Sequence, residues 1–158
     1  MSDFGLDDLY QQVVMDHGAS PRNMRHVAGA QRTAHGFNPF CGDLVDVEVR
    51  MDGNTIADVG FTGRGCAISK ASASLMTEAI MGVSEVDARK VFGAFQGMIT
   101  GAGNGSGGAF EMEELLGDLE ALSGVSAYPT RIKCAMLGWH TLIAALDRRG
   151  DLKTVSTE

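Results

Sequence analysis

The sequence predicts an α+β fold: a small antiparallel sheet of about three strands packed against several helices. Three observations lead there. The chain opens on apolar residues at helical spacing, Leu6, Leu9, Tyr10, Val13 and Val14. A central stretch alternates valines with polar residues on either side of a tight-turn sequence. The longer segments that follow lack strand alternation and carry helix start signals.

The first helix is expected over residues 6–16, ended by His17 and Gly18, with Ser20-Pro21-Arg22-Asn23 as a turn. His17 is placed at the helix C-terminus, where the dipole favours it. Residues 24–37 hold an extended segment ending near Phe37. Val45, Val47 and Val49 make residues 44–51 a half-buried strand. Asp52-Gly53-Asn54 turns the chain, and residues 55–63 return antiparallel. Cys41 precedes the first of these strands and Cys66 follows the second, so the hairpin brings both to one sheet edge.

Residues 67–81 contain no Gly or Pro and predict a helix with a small face of Ala67, Ala71 and Ser74, suited to close packing on the sheet. Gly82 stops it. Ser84-Glu85-Val86-Asp87 caps the next helix, which runs to about Ile99. The low-complexity run Thr100–Ala109 reads as a surface loop, followed by short helical pieces near Met112–Leu116 and Leu119–Leu122. Pro129 starts the last helix. It extends to about Arg149, with an apolar face of Ile132, Met136, Trp139, Leu142, Ile143 and Leu146, and it carries Cys134 in its second turn. Residues 1–150 thus form one domain that includes the Gly-rich stretch near 100–118, and residues 151–158 form a frayed polar tail.

A chain of 158 residues buries roughly 68–70% of its unfolded surface, enough for a core without disulfide staples. The net charge is −7 and no basic stripe is visible, which argues against nucleic acid as a partner. No apolar run reaches the length of about 18 residues that a membrane span needs. The acidic N-terminus lacks a signal core, so the protein is expected in the cytoplasm, where thiols stay reduced.

Three cysteines in such a compartment mean packing or chemistry. Cys41 lies on turn residues, in Asn38-Pro39-Phe40-Cys41-Gly42-Asp43. Cys66 follows Gly63-Arg64-Gly65 and opens a helix, where amide groups and Arg64 favour a thiolate. The helix start and Lys133 are expected to do the same for Cys134. Three soft sulfurs with the oxygen of Asp43 make a tetrahedral set that zinc accepts readily. On spacing alone Asp43 is equally a turn-capping residue. His17, His26, His35 and His140 have no ligand-pair spacing with one another or with a cysteine. Gly103-Asn104-Gly105-Ser106-Gly107-Gly108 spells a dinucleotide string, but it follows a helix and lacks its structural context. The nine methionines are scattered over apolar faces and fill core.

Several of these segments together resemble one family. They are Leu6-x-x-Leu9-Tyr10 through Asp16-His17, Pro21-Arg22-Asn23, Asn38-Pro39-x-Cys41-Gly42-Asp43, Phe61-x-Gly63-x-Gly65-Cys66-Ala67-Ile68-Ser69, and Pro129-x-Arg131-x-Lys133-Cys134-Ala135. The pattern is similar to the U-type iron–sulfur cluster assembly family (IscU and NifU N-terminal-like), and within it to the SufU branch of zinc-dependent sulfurtransferases. Two departures from the IscU branch point that way: Lys133 replaces a histidine before the third cysteine, and the segment near 100–118 is an insertion. The resemblance implies a SufE/NifU-like fold. It implies that Cys41 accepts persulfide sulfur from a SufS-type, pyridoxal-phosphate-dependent cysteine desulfurase and passes it to downstream iron–sulfur assembly machinery. Cys41, Asp43, Cys66 and Cys134 would hold Zn2+, with Arg131 acting on the site from outside the ligand set. Such a centre carries a double negative charge, which Arg131 or Lys133 would offset. Cys41, on a Pro- and Gly-flanked loop, would be the mobile thiol. The alternative is a scaffold on which a 2Fe–2S cluster is built on the same residues. A third reading, zinc as a fold staple, lacks the C-x-x-C spacing usual for structural sites.

Overall fold

The computed structural model of the chain describes residues 3–39, 41–100, 116–147 and 154–156. The glycine-rich stretch from Gly101 and most of the short helix expected around Met112–Leu116 lie outside them. The valine alternation produces the hairpin. Strand β2 spans Asp43–Asp52 and β3 spans Thr55–Arg64, joined at Gly53 with φ +63°, a left-handed conformation that glycine adopts without strain. The extended segment before them is β1, Arg32–Asn38, paired antiparallel with β2 from Arg32↔Val49 to Asn38↔Asp43.

The tail corrects the sequence reading. Thr154–Ser156 form β4, parallel to β1 in the register His35↔Thr154 and Phe37↔Ser156, so the sheet order is β3-β2-β1-β4. An edge strand offers unpaired N–H and C=O groups, and a short extended segment of almost any composition can satisfy them. That driving force leaves no hydrophobic signature in the sequence.

One face of the sheet buries Val45, Val47, Val49, Ile56, Val59 and Phe61. The helices are α1 (Asp3–Ala19), α2 (Ala67–Ile80), α3 (Glu85–Thr100) and α4 (Pro129–Leu146), with a 3-10 segment over Gly117–Ala127. Their apolar residues join the same core, where Trp139 of α4 stacks on Phe95 of α3 at 4.9 Å between ring centroids. Side chains of this kind contribute roughly 1.5–3 kcal/mol each on full burial. The cap at the start of α3 forms as expected, with the Asp87 N–H donating to Ser84 Oγ at 3.1 Å.

Two expectations about α1 and α2 change. Helix α1 runs past His17 to Ala19, because the imidazole is buried and shares a 2.7 Å hydrogen bond with Ser74 Oγ of α2. The Arg22 backbone N–H donates to the same oxygen at 2.8 Å. Ala67 and Ser74 of the small face therefore receive the end of α1: Ala67 lies against Gly18 and Ser74 against His17. Helix α4 packs on α2 as well, where Ser72 Oγ donates to the Ala135 carbonyl at 2.6 Å. These contacts seat the α4 N-terminus beside the α2 N-terminus and the start of β2. Among the described residues no helix is long and apolar enough to cross a membrane.

Candidate metal centre

Asp43 is the first residue of β2, yet its side chain is only 1% exposed. A carboxylate taken out of water needs partners for both oxygens. Oδ1 has one, the backbone N–H of Cys66 at 3.0 Å. Oδ2 is fully buried and has no hydrogen-bond partner among the described residues.

The sulfurs around it come from two distant parts of the chain. Cys41 stands on the turn before β2, closed by the Gly42 N–H donating to the Asn38 carbonyl at 2.8 Å, and is exposed. Gly42 sits at φ +74°, which lets the chain reverse between the cysteine and the strand. Cys134, two turns into α4, is buried, and its Sγ lies 3.4 Å from the Cys41 Sγ. A sulfur of Cys41, a sulfur of Cys134 and a carboxylate oxygen of Asp43 all fall within 4.8 Å of one another. Thiolate bonds of about 2.3 Å would set neighbouring donors of a tetrahedral ion about 3.8 Å apart, so this cluster needs little adjustment to receive one. An unsatisfied oxygen on a buried carboxylate beside two sulfurs is what a cation would resolve.

Cys66 lies beside this set rather than within it. It is the N-cap of α2, with its Sγ accepting the Ser69 N–H at 3.5 Å. Its thiol interacts with that of Cys134. Ligation by all four residues requires the Cys66 sulfur to turn inward from its capping position.

The expectation of an activated Cys134 thiol is corrected. Burial, first, and then the neighbouring Cys41, Asp43 and Cys66 groups push this thiol well above the ordinary cysteine range. The helix-start argument fails because the second turn of α4 is sunk into the core, where desolvation outweighs the dipole. Arg131 opposes that burial from the surface. Its exposed guanidinium donates to the Cys134 sulfur, and this bond with the charges of Cys66, Cys134 and Cys41 pushes its own pKa up. Arg64, expected near the Cys66 thiol, lines a crevice with Lys70, Met24 and Phe61.

The four histidines have other partners: His17 with Ser74, His26 with Glu48, His35 with Asp46, and His140 edge-on to Phe92. Gly65 has a role that sequence reasoning missed. A Cβ there would stand 2.7 Å from Asp43 Oδ1 and 3.1 Å from Ser69 Oγ, so its hydrogen makes room for the buried carboxylate. Only its position beside Cys66 hinted at this, because the partner is remote in sequence.

Comparison with known proteins adds an independent line. The family model for the NifU-like N terminal domain matches residues 9–135. The zinc-dependent sulfurtransferase SufU of Bacillus subtilis (strain 168) is 42% identical, with 87% of this chain and 88% of that protein covered. The iron–sulfur cluster assembly scaffold protein IscU of Streptococcus pyogenes serotype M1 is 35% identical over 97% of this chain and 92% of its own. The crystal structure of a SufU from the thermophile Fervidobacterium islandicum AW-1, described as an iron–sulfur cluster assembly scaffold protein for the SUF system, superposes with a TM-score of 0.77 at 33% identity. It covers 85% of this chain and 94% of that one.

Proposed function

This chain belongs to the NifU-like N-terminal domain family, and we propose on that basis that it is a zinc-dependent sulfurtransferase for iron–sulfur cluster assembly. The single observation that carries the proposal is the buried, unpartnered Asp43 Oδ2 beside the paired sulfurs of Cys41 and Cys134. Cys41, Asp43, Cys66 and Cys134 are the residues that hold Zn2+. The bound ion keeps cysteine sulfur in its thiolate form at neutral pH.

Cys41 is the sulfur acceptor, since it is the exposed member and sits on a turn. Its thiolate attacks the outer sulfur of a persulfide on a SufS-type, pyridoxal-phosphate-dependent cysteine desulfurase. A new S–S bond forms on Cys41 and the desulfurase cysteine leaves as thiolate. Cys134 is buried and Cys66 is a helix cap, so both stay as anchors. Arg131 offsets the negative charge that the sulfurs gather. The persulfide then passes to downstream assembly machinery. All of this suits the cytoplasm, where free thiols persist.

The test is desulfurase turnover with and without this protein, together with mass analysis of the sulfur adduct. Stimulation and a one-sulfur adduct on Cys41 are expected, with about one zinc per chain in colourless protein. A persulfide confined to Cys66 would sink the assignment.

A second reading, a scaffold for a 2Fe–2S cluster, is favoured by the identity to the Streptococcus pyogenes IscU along nearly the whole chain. Brown protein that absorbs in the visible and holds iron in place of zinc would select it.

A further inference from the structure

The sulfurs of Cys41 and Cys134 touch at 3.4 Å across 93 residues of sequence. One is exposed, where a partner can reach it, and the other is buried, where it cannot. A thiol in contact with a persulfide is positioned to break it, because thiol–disulfide exchange needs the attacking sulfur in contact with the sulfur it attacks. We propose that Cys134 is a resolving thiol: when neither sulfur is held by metal, it discharges the Cys41 persulfide as hydrosulfide. The inference rests on Cys41 being the sulfur acceptor.

The step balances without an outside reagent. The Cys134 sulfur attacks the inner sulfur, Cys41 Sγ, and its thiol proton passes to the outer persulfide sulfur as that sulfur departs. The Cys41–Cys134 bond forms, the bond from Cys41 Sγ to the outer sulfur breaks, and hydrosulfide carries away the electron pair. The sulfane sulfur is reduced to sulfide, and the two cysteine thiols are oxidised to a disulfide. A dithiol reductant would be needed to reset the protein. Hydrosulfide leaves well, since its parent acid is stronger than a cysteine thiol.

Cys66 is less suited to the same role, because its sulfur lies outside the set in which those of Cys41 and Cys134 touch. Ligation of Cys134 to metal blocks the attack, since the lone pair that would form the disulfide is occupied. The metal then decides the fate of the sulfur: retained on Cys41 for onward transfer, or lost as free sulfide.

The experiment loads zinc-bound full-length protein with inorganic polysulfide, removes excess reagent, and adds a strong chelator under argon. Intact mass and sulfide release are followed together. The expected result is stoichiometric sulfide after chelation and a chain two hydrogens lighter, with a peptide crosslinked between Cys41 and Cys134. Cys134→Ser should keep the extra sulfur on Cys41 through chelation and release little sulfide where the parent releases a stoichiometric amount. Persistence of the Cys41 persulfide in the chelated parent overturns the resolving role and leaves the acceptor role intact. A disulfide from Cys41 to Cys66 overturns it too. A protein that never gains sulfur at Cys41 overturns the acceptor reading on which it rests.

Discussion

The Asp43 carboxylate and the Cys66 backbone are joined by a 3.0 Å hydrogen bond that ties the start of β2 to the start of α2. It fixes one oxygen and leaves the other, Oδ2, buried and without a hydrogen-bond partner, on a carboxylate that lies within 4.8 Å of the sulfurs of Cys41 and Cys134. Asp43 thereby acts both as a capping carboxylate and as a candidate ligand, the two uses between which sequence spacing could not choose.

Gly65→Ala tests that alignment without touching a ligand. The new Cβ would stand 2.7 Å from Asp43 Oδ1, nearer than side-chain carbons approach oxygen, so the carboxylate or the α2 start must shift. Overpacking of this kind costs roughly 1–3 kcal/mol, and disturbing a metal's supporting contacts typically weakens affinity by about 10–100-fold. Urea unfolding and competition with a chromophoric chelator measure the two effects. Unchanged zinc retention would show that Asp43 is not held in place through Oδ1.

Arg131→Ala removes the cation that meets the Cys134 sulfur and feels the charge of Cys66 and Cys41. Zinc affinity should fall by about tenfold or more, as for other groups that act on a metal from outside its ligands. The fold should persist, because the side chain is exposed. Arg131→Lys should recover only part, since an ammonium keeps the charge but not the planar fork of donors. Chelator competition and circular dichroism together decide the matter. Full zinc affinity in the alanine variant would remove Arg131 from the site.

The parts of the molecule that were legible in the sequence are those with a local period or a local stop signal. Val45, Val47 and Val49 announce their strand, Gly53 its turn and Pro129 its helix. The register they imply puts Cys41 and Cys66 at one end of the sheet. What was not legible depends on partners remote in the chain. Nothing near His17 in sequence announces Ser74, and nothing near Gly65 announces that a carboxylate must fit beside it. The burial of Cys134 belongs to the same class. Its dipole and lysine context is local and readable, whereas the desolvation that outweighs them comes from packing of α4 against elements far upstream.

Stability should fall as pH drops through the histidine range. His17 has its pKa lowered, chiefly by burial and then by the Arg22 charge, with Glu78, Asp16 and Asp118 opposing. Burial alone lowers that of His140. The unfolded chain, with histidines near 6.5, therefore binds more protons than the native state just below that pH, so stability is present above about pH 6.5 and is lost as pH falls through the window beneath it. The urea midpoint should be lower at about pH 5.5 than at about pH 7.5, and the difference should shrink in His17→Gln and again in His140→Gln. Each variant is compared with the parent at the same two pH values, so that metal loss common to all cancels. Equal pH slopes in parent and variants would assign the effect elsewhere.

The approach of β1 to α4 sets where Cys134 is held, and Gly36 permits it. A Cβ at Gly36 would fall 2.0 Å from Thr141 Oγ1, with Thr141 Cβ at 3.3 Å and Leu137 Cδ1 at 3.2 Å. The threonine cannot easily swing away, since it is fully buried and its hydroxyl donates to the Leu137 carbonyl at 2.8 Å. Gly36→Ala should therefore push the strand and helix apart at a cost of roughly 1–3 kcal/mol or more. Because Cys134 lies on the same helix, metal retention should weaken with it. Thr141→Ala removes the blocking oxygen, and the double variant should be more stable than the sum of the single effects predicts, as expected for residues in direct contact. A double-variant cycle by urea unfolding reads the coupling. Strict additivity would mean that the strand and helix accommodate the methyl group by another route, and that the seat of Cys134 is set by α2, through Ser72 and the Ala135 carbonyl, rather than by β1.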